Sequence, residues 1–289
     1  MLAYVELTRP IGPLLIGVAV FIGQVIALKA LPRPDLLFFP LVASMLVTAS
    51  SFAFNDVIDY EIDKVNRPWA PIPSGRISRR AAMWFSLLLY LASFYFSLPT
   101  GLLPTIVLNT TYALSIFYSL KLKATGLLGN VVVASCVSMA FIYGSLTSTG
   151  WVDSTVLNMS WVSFFVNLGR EVIQSIQDME GDARKGVKSV AITYGPKVAA
   201  SLGSLFILLG LVLGPLLFLN YEAGYYGLFS RKTHALILIP QIGLAYSVFK
   251  LLKQPTPTNV SRFISRANLF TILILLVLAL EFVHVSIIS

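Results

Sequence analysis

Eight of the chain's 13 acidic residues fall in two short segments: Asp56, Asp59, Glu61 and Asp63, then Glu171, Asp178, Glu180 and Asp182. In the first, Asn55, Asp59 and Asp63 recur every fourth residue, so a helix would line their oxygens along one stripe. In the second, Glu171 and Asp178 are seven apart and Asp178 and Asp182 four apart, which again suits one stripe. Facing stripes of oxygen suit a hard cation. Magnesium binds through one or two carboxylates and completes its shell with phosphate oxygens and water. Two such clusters repel each other when nothing lies between them; a diphosphate bridged by metal ions turns them into a clamp.

The cations needed for that chemistry lie close by. Arg67 and Arg76 follow the first segment, Lys185 and Lys188 follow the second, and a third stretch reads Tyr118-Ser119-Leu120-Lys121-Leu122-Lys123. Acids for metal beside cations for phosphate meet the needs of a leaving diphosphate. On a soluble helix, carboxylates four apart are usually only a solvated face. Next to a membrane span they are costly unless paired or metal-bound, and here that cost is concentrated at two places.

The elements that must position these residues are membrane spans. Of 289 residues, 56% are hydrophobic and 12% charged, against about 25% charged in soluble domains. No polar stretch is long enough for a soluble domain, so residues 1–289 read as one all-α integral membrane domain. Nine apolar runs approach the roughly 20 residues of a span: Ile11–Leu28, Leu36–Asn55, Ala81–Leu98, Leu103–Leu120, Leu127–Thr147, Val156–Ile176, Val198–Leu219, Ala235–Leu252 and Leu269–Ile287. Breakers separate them at Pro32 and Pro34, Pro68 to Pro73, Pro99, Ser148 to Gly150, and Pro255 and Pro257. Both acidic segments then sit at span ends on one membrane face.

Charge sets the orientation. With nine spans, all but four of the 21 Lys and Arg residues (Lys29, Arg33, Arg231 and Lys232) share the face of the N-terminus. The positive-inside rule makes that face cytoplasmic. The net charge of +8 thus reflects topology and membrane contact rather than nucleic-acid binding. Arg79, Arg80, Lys250, Lys253, Arg262 and Arg266 need no other role. The N-terminus lacks the basic region and small-residue cleavage site of a secretory signal. Cys136 reads as a small core residue, His234 and His284 as isolated, and Trp151, Tyr225 and Tyr226 as interfacial anchors. An ion-coupled transporter would also use membrane acids, but such folds break helices near the midplane, and these acids lie at span ends.

At these residues the chain resembles the UbiA superfamily of membrane prenyltransferases. The family pattern NDxxDxxxD, followed by an NRPxRPIPSGR loop, is matched by NDVIDYEID and KVNRPWAPIPSGRIS over residues 55–78. The later DxxGD pattern is matched by Asp178-Met179-Glu180-Gly181-Asp182, and the tyrosine–lysine motif by YSLKLK at 118–123. The resemblance implies a nine-helix bundle around a central cavity, with the prenyl tail in the apolar interior. It implies that Asn55, Asp59, Asp63, Asp178 and Asp182 hold Mg2+, with the four aspartates catalytic. Arg67, Tyr118, Lys121, Lys123 and Lys185 would bind the donor diphosphate.

Two departures stand out. Ser175 lies where many relatives carry an acid, and Trp69-Ala70-Pro71 where many carry His-Arg-Pro. The implied partners are membrane lipid, a prenyl diphosphate such as geranylgeranyl diphosphate, and a small acceptor. The stretch YSLKLKATGLLGN is similar to archaeal members that prenylate geranylgeranylglyceryl phosphate. The opening Arg9-Pro10-Ile11-Gly12 is closer to members that act on 4-hydroxybenzoate. The glyceryl phosphate acceptor is preferred, and Arg9 and Arg76 are the cations left over for its phosphate.

Overall fold

A computed structural model describes residues 2–184, 186–219 and 231–288. Among them the regular structure is helical. The long helices are α2 (Ile11–Leu28), α3 (Pro34–Ile58), α5 (Arg79–Ser97), α6 (Leu102–Leu120), α7 (Leu127–Thr149), α8 (Ser154–Gln174), α11 (Pro196–Leu219), α12 (Arg231–Lys253) and α13 (Pro257–Ile288). Four short helices lie between or before them: α1 (Leu2–Thr8), α4 (Tyr60–Asn66), α9 (Met179–Arg184) and α10 (Val190–Tyr194).

Eight of the nine expected spans are long and apolar enough to cross a bilayer. The ninth, α8, has the length but not the composition. It carries Asn158, Ser160, Ser163, Asn167, Arg170, Glu171 and Gln174, and it is sheltered by α7 and α11. The last span begins twelve residues earlier than apolarity suggests. Pro257 suits a helix start, and helix α13 runs through the polar stretch Asn259–Asn268 without a break. The short helices were not foreseen either: at five to seven residues they are too brief to show a hydrophobic period.

Successive long helices are neighbours, and α13 returns to pack on α2, which closes the ring. In lipid, helices associate through small residues and buried hydroxyls rather than through water exclusion. Helices α2 and α7 meet at glycines: a Cβ on Gly144 would lie 2.1 Å from the Val20 carbonyl oxygen, and one on Gly23 2.2 Å from that of Phe141. Buried Ser50 and Ser86 bond across α3 and α5, and Tyr112 of α6 joins them at 3.0 Å. The outward faces are apolar. On α5, Trp84, Leu88, Leu91 and Tyr95 form one exposed stripe at helical spacing. The chain is a multi-pass membrane protein. Cys136 is only part-buried, its thiol 3.7 Å from the Thr111 carbonyl oxygen. Trp151 lies exposed at the end of α7. Lys185, Tyr225 and Tyr226, and the side chains of His234 and His284, lie outside the described residues.

Candidate active site

Helix α3 ends at Ile58 and α4 begins at Tyr60, yet the turn between them keeps helical register. Asp59 N donates to Asn55 O, Asp63 N to Asp59 O and Arg67 N to Asp63 O, each at 2.8 Å. The stripe expected of Asn55, Asp59 and Asp63 therefore survives the break. Asp59 and Asp63 are both buried. Asn55 donates its amide to Ser119 Oγ at 3.3 Å, so its carbonyl oxygen is the atom left for a cation.

The second stripe is not continuous. Helix α8 ends at Gln174, a turn follows, and α9 starts at Met179. Glu171, on α8 before that turn, pairs with its neighbour Arg170 at 3.3 Å, while its charge still reaches Asp178. Ser175, just past the end of α8, bonds back to the Val172 carbonyl oxygen at 2.7 Å.

The two segments meet at Gly181 and Asn66. A Cβ on Gly181 would lie 2.2 Å from the Asn66 side chain, so α9 packs closely against the end of α4 and a larger residue would make that side chain give way. A third segment joins them: Lys188 N donates to Ala124 O at 3.1 Å, which ties the loop after α9 to the turn after α6. From that turn Lys123 reaches across to Asp59 Oδ2. Tyr118, part-buried at the end of α6, lies within electrostatic reach of Asp59, Glu171, Asp178 and Asp182.

Cations occupy the first cluster. Arg67 bonds Asp63 through Nε at 3.2 Å and Nη2 at 2.6 Å, and Asp56 through Nη2 at 3.1 Å. Arg9 bonds the same Asp56 oxygen. Arg9 belongs to no acidic stripe, as expected, and it pairs with Asp56, a buried carboxylate beside the stripe. Asp56 itself lies off the stripe, and sequence spacing missed it as the anchor for two arginines. Its adjacency to Asn55 was the available signal. Arg76 is drawn elsewhere. It makes a fork with Glu6 of α1 at 2.7 and 3.0 Å and bonds the Trp69 carbonyl oxygen at 2.7 Å. Lys121 is exposed, its ammonium 6.0 Å from the Phe117 ring centre.

Among the described residues no ion pair reaches Asp178 or Asp182. Burial pushes both carboxyls above the usual range, Asp182 to about 6, with Lys123 opposing the shift. Burial also raises Asp63, against the pull of Arg67. Burial works against the Arg67 charge as well, but Asp56 and Asp63 outweigh it and leave that guanidinium firmly protonated.

No three acidic, histidine or cysteine groups among the described residues close on one point. Magnesium does not require that, since substrate phosphates and water supply much of its shell. The donors present are four aspartates and an asparagine, all oxygen, which fits a hard dication and disfavours a soft one.

The sequence profile of the UbiA prenyltransferase family matches residues 16–274. Digeranylgeranylglyceryl phosphate synthase of Thermococcus kodakarensis is 36% identical over 224 residues, covering 77% of this chain and 78% of that protein. The Sulfolobus acidocaldarius protein of the same name is 36% identical over 226 residues, covering 77% and 79%. A solved structure concerned with digeranylgeranylglyceryl phosphate synthase in membranes matches with a TM-score of 0.74 at 25% identity, over 98% of both chains. A UbiA homologue from Archaeoglobus fulgidus, solved with GPP and Mg2+, matches with a TM-score of 0.70 over 96% of this chain and 99% of that one. At 16% identity the second structure speaks for the fold alone. A closed ring of apolar helices carrying two acidic segments at one end, and relatives alike over most of their length, lead to one assignment: the chain belongs to the UbiA prenyltransferase family of membrane enzymes.

Proposed function

We propose that this chain moves a geranylgeranyl group from geranylgeranyl diphosphate to the glycerol hydroxyl of geranylgeranylglyceryl phosphate, releasing diphosphate and forming digeranylgeranylglyceryl phosphate. The observation that carries the reading is the seating of Gly181 on Asn66, which brings the DxxGD segment against the first acidic segment. The names of the relatives supply the acceptor.

Asn55, Asp59 and Asp63 from one side and Asp178 and Asp182 from the other would hold magnesium. Bound there with the donor, the metal supplies positive charge to the leaving diphosphate. Arg67, Lys123 and Lys185 act on the same oxygens, with Tyr118 and Lys121 at the margin. Arg67 and Lys123 already rest on carboxylates of the metal set, so donor binding is an exchange of partners rather than the burial of bare charges. Departure of diphosphate leaves an allylic cation at C1 of the prenyl chain. The acceptor hydroxyl attacks that carbon and loses its proton. Apolar helix walls keep water from quenching the cation.

Arg9 is the acceptor cation on this reading. Arg76, already forked onto Glu6, is the weaker candidate. Arg9 could equally meet the carboxylate of 4-hydroxybenzoate, which is the second reading. An acceptor screen with purified enzyme, geranylgeranyl diphosphate and Mg2+ separates them. Turnover with geranylgeranylglyceryl phosphate but not 4-hydroxybenzoate is expected, and the reverse would overturn the assignment. The site face is assigned to the cytoplasm of the cell membrane on the charge bias. Single cysteines placed in loop 68–75 should label from that side of sealed vesicles; labelling only from the outside would overturn the orientation.

A further inference from the structure

The turn between α12 and α13 holds a pocket of about 140 Å³ that shares no residue with the carboxylate site. Its buried lining is formed by Leu251, Phe263 and Ser247. Its walls carry Lys250 from α12 and Arg262 and Arg266 from α13, with Asn259 beside them. Arg262 and Arg266 are one helical turn apart on a shared face, and Lys250 completes a triangle from the facing helix.

Those three cations have no acidic partner among the described residues. The reason lies in the sequence: residues 223–280 contain no aspartate or glutamate. Several other cations near the membrane surface have found partners: Arg9, Arg67, Arg76 and Lys123 hold carboxylates, and Arg79 bonds the Val57 carbonyl oxygen. The neighbouring Lys253 is also engaged, its ammonium 4.8 Å from the Phe249 ring centre. A positive-inside signal needs charge alone. It does not need three charges lining one pocket.

The pocket's size and surroundings narrow the ligand. At about 140 Å³ it has room for a phosphate group. The flanking side chains are apolar and exposed: Tyr246 at 62%, Phe249 at 58% and Leu269 at 52%. A phosphate headgroup bound there would set its lipid chains against those side chains. The pocket also faces the same side of the membrane as the reaction. Val248, Leu251, Val260 and Phe263 share one buried cluster with Ile173, Ile176, Val190 and Ala191, which flank the DxxGD segment. Arg170, at the site end of α8, bonds Asn268 of α13 at 3.1 Å.

We propose that Lys250, Arg262 and Arg266 form a second anion site that takes the phosphate headgroup of an anionic lipid at the membrane edge, on the face of the carboxylate site but apart from it. Bidentate guanidinium contacts to phosphate give such a site geometric preference over neutral headgroups. The proposal does not depend on which acceptor the enzyme prenylates.

The test is native mass spectrometry of full-length protein taken from vesicles of phosphatidylcholine and phosphatidylglycerol. The wild type is expected to retain one phosphatidylglycerol per chain. The Lys250→Gln/Arg262→Gln/Arg266→Gln variant should lose at least fivefold of that adduct while keeping its prenyl transfer activity. Lys253→Gln should retain lipid like the wild type. A parallel arm adds inorganic phosphate to lipid-stripped protein and reads thermal stabilisation. Stabilisation of the wild type but not the triple variant, without lipid retention, would give the same site to a free phosphate. Equal lipid retention and equal phosphate response in wild type and triple variant would overturn the proposal. If the triple variant does not fold, Arg262→Gln, at an exposed position, carries the same comparison.

Discussion

The two acidic segments are handled by this fold in different ways. Asp56, Asp59 and Asp63 are buried and each holds an arginine or lysine. Asp178 and Asp182 hold no ion pair among the described residues and are pushed toward protonation by burial. The first half is a neutralised scaffold with its cations already aimed. The second is a set of carboxylates whose charge is costly until something positive arrives. Lys123 links them: it bonds Asp59 while its field reaches Asp178 and Asp182. The two halves thus differ in charge balance: the first carries its own cations, whereas the second has none paired to it among the described residues.

The largest expected effect is the loss of either half. Asp59→Ala and Asp182→Ala should each lower kcat by about 100- to 1,000-fold, the range typical for removing one group that stabilises developing charge. Turnover assays at saturating donor and Mg2+ check this. Survival of activity in Asp182→Ala alone would mean that the first half suffices.

Lys123→Gln comes next, because it removes the link between the halves. A charge-assisted bond is worth about 1.5–3 kcal/mol, so the KM for the donor should rise by roughly 10- to 100-fold, with the acceptor KM little changed. A rise confined to the acceptor would place Lys123 on the wrong substrate.

A smaller effect distinguishes two arginines of the same face. Arg9 sits on buried Asp56, whereas Arg76 forks onto Glu6 with both partners largely exposed. Arg9→Ala should raise the acceptor KM about tenfold. Arg76→Ala, which loses an exposed pair and a bond to the Trp69 carbonyl oxygen away from the aspartates, should leave both Michaelis constants within about twofold. Equal effects from the two would erase the distinction.

The smallest effect is on stability. Burial raises Asp182 from 3.8 to about 6 in the folded protein. A raised acid favours the folded state at low pH and withdraws that favour as pH climbs through the folded value. In the presence of chelator, Asp182→Asn should therefore melt several degrees above the wild type at pH 7, and the gap should close near pH 4. Added Mg2+ with diphosphate should narrow the gap at pH 7 by stabilising the wild type. A gap independent of pH would mean that Asp182 ionises freely.

Much of this arrangement was legible in the sequence. Among the described residues, apolar run length located eight long helices of spanning composition and pointed to the more polar α8, and fourfold spacing placed Asn55, Asp59 and Asp63 on a stripe that the structure keeps. What escaped has physical reasons. The turn after Gln174 breaks the second stripe, and nothing in residues 175–178 is a strong breaker such as proline or glycine. Asp56 lies one residue off the stripe, so periodicity ranks it with the bystanders; only tertiary contact brings Arg9 and Arg67 to it. Arg76 was read as free because Glu6 is 70 residues away in sequence. The cation pocket between α12 and α13 was hidden because each of its charges, taken alone, satisfies the positive-inside rule.

The central claim is that both halves hold one diphosphate together through magnesium. Calorimetric titration of the wild type with a non-hydrolysable geranylgeranyl thiolodiphosphate tests it most directly. The account predicts binding only with Mg2+, abolished alike by Asp59→Ala and by Asp182→Ala, with the double variant no worse than either. Equal affinity in excess chelator, or undiminished binding in one of the two variants, would contradict it.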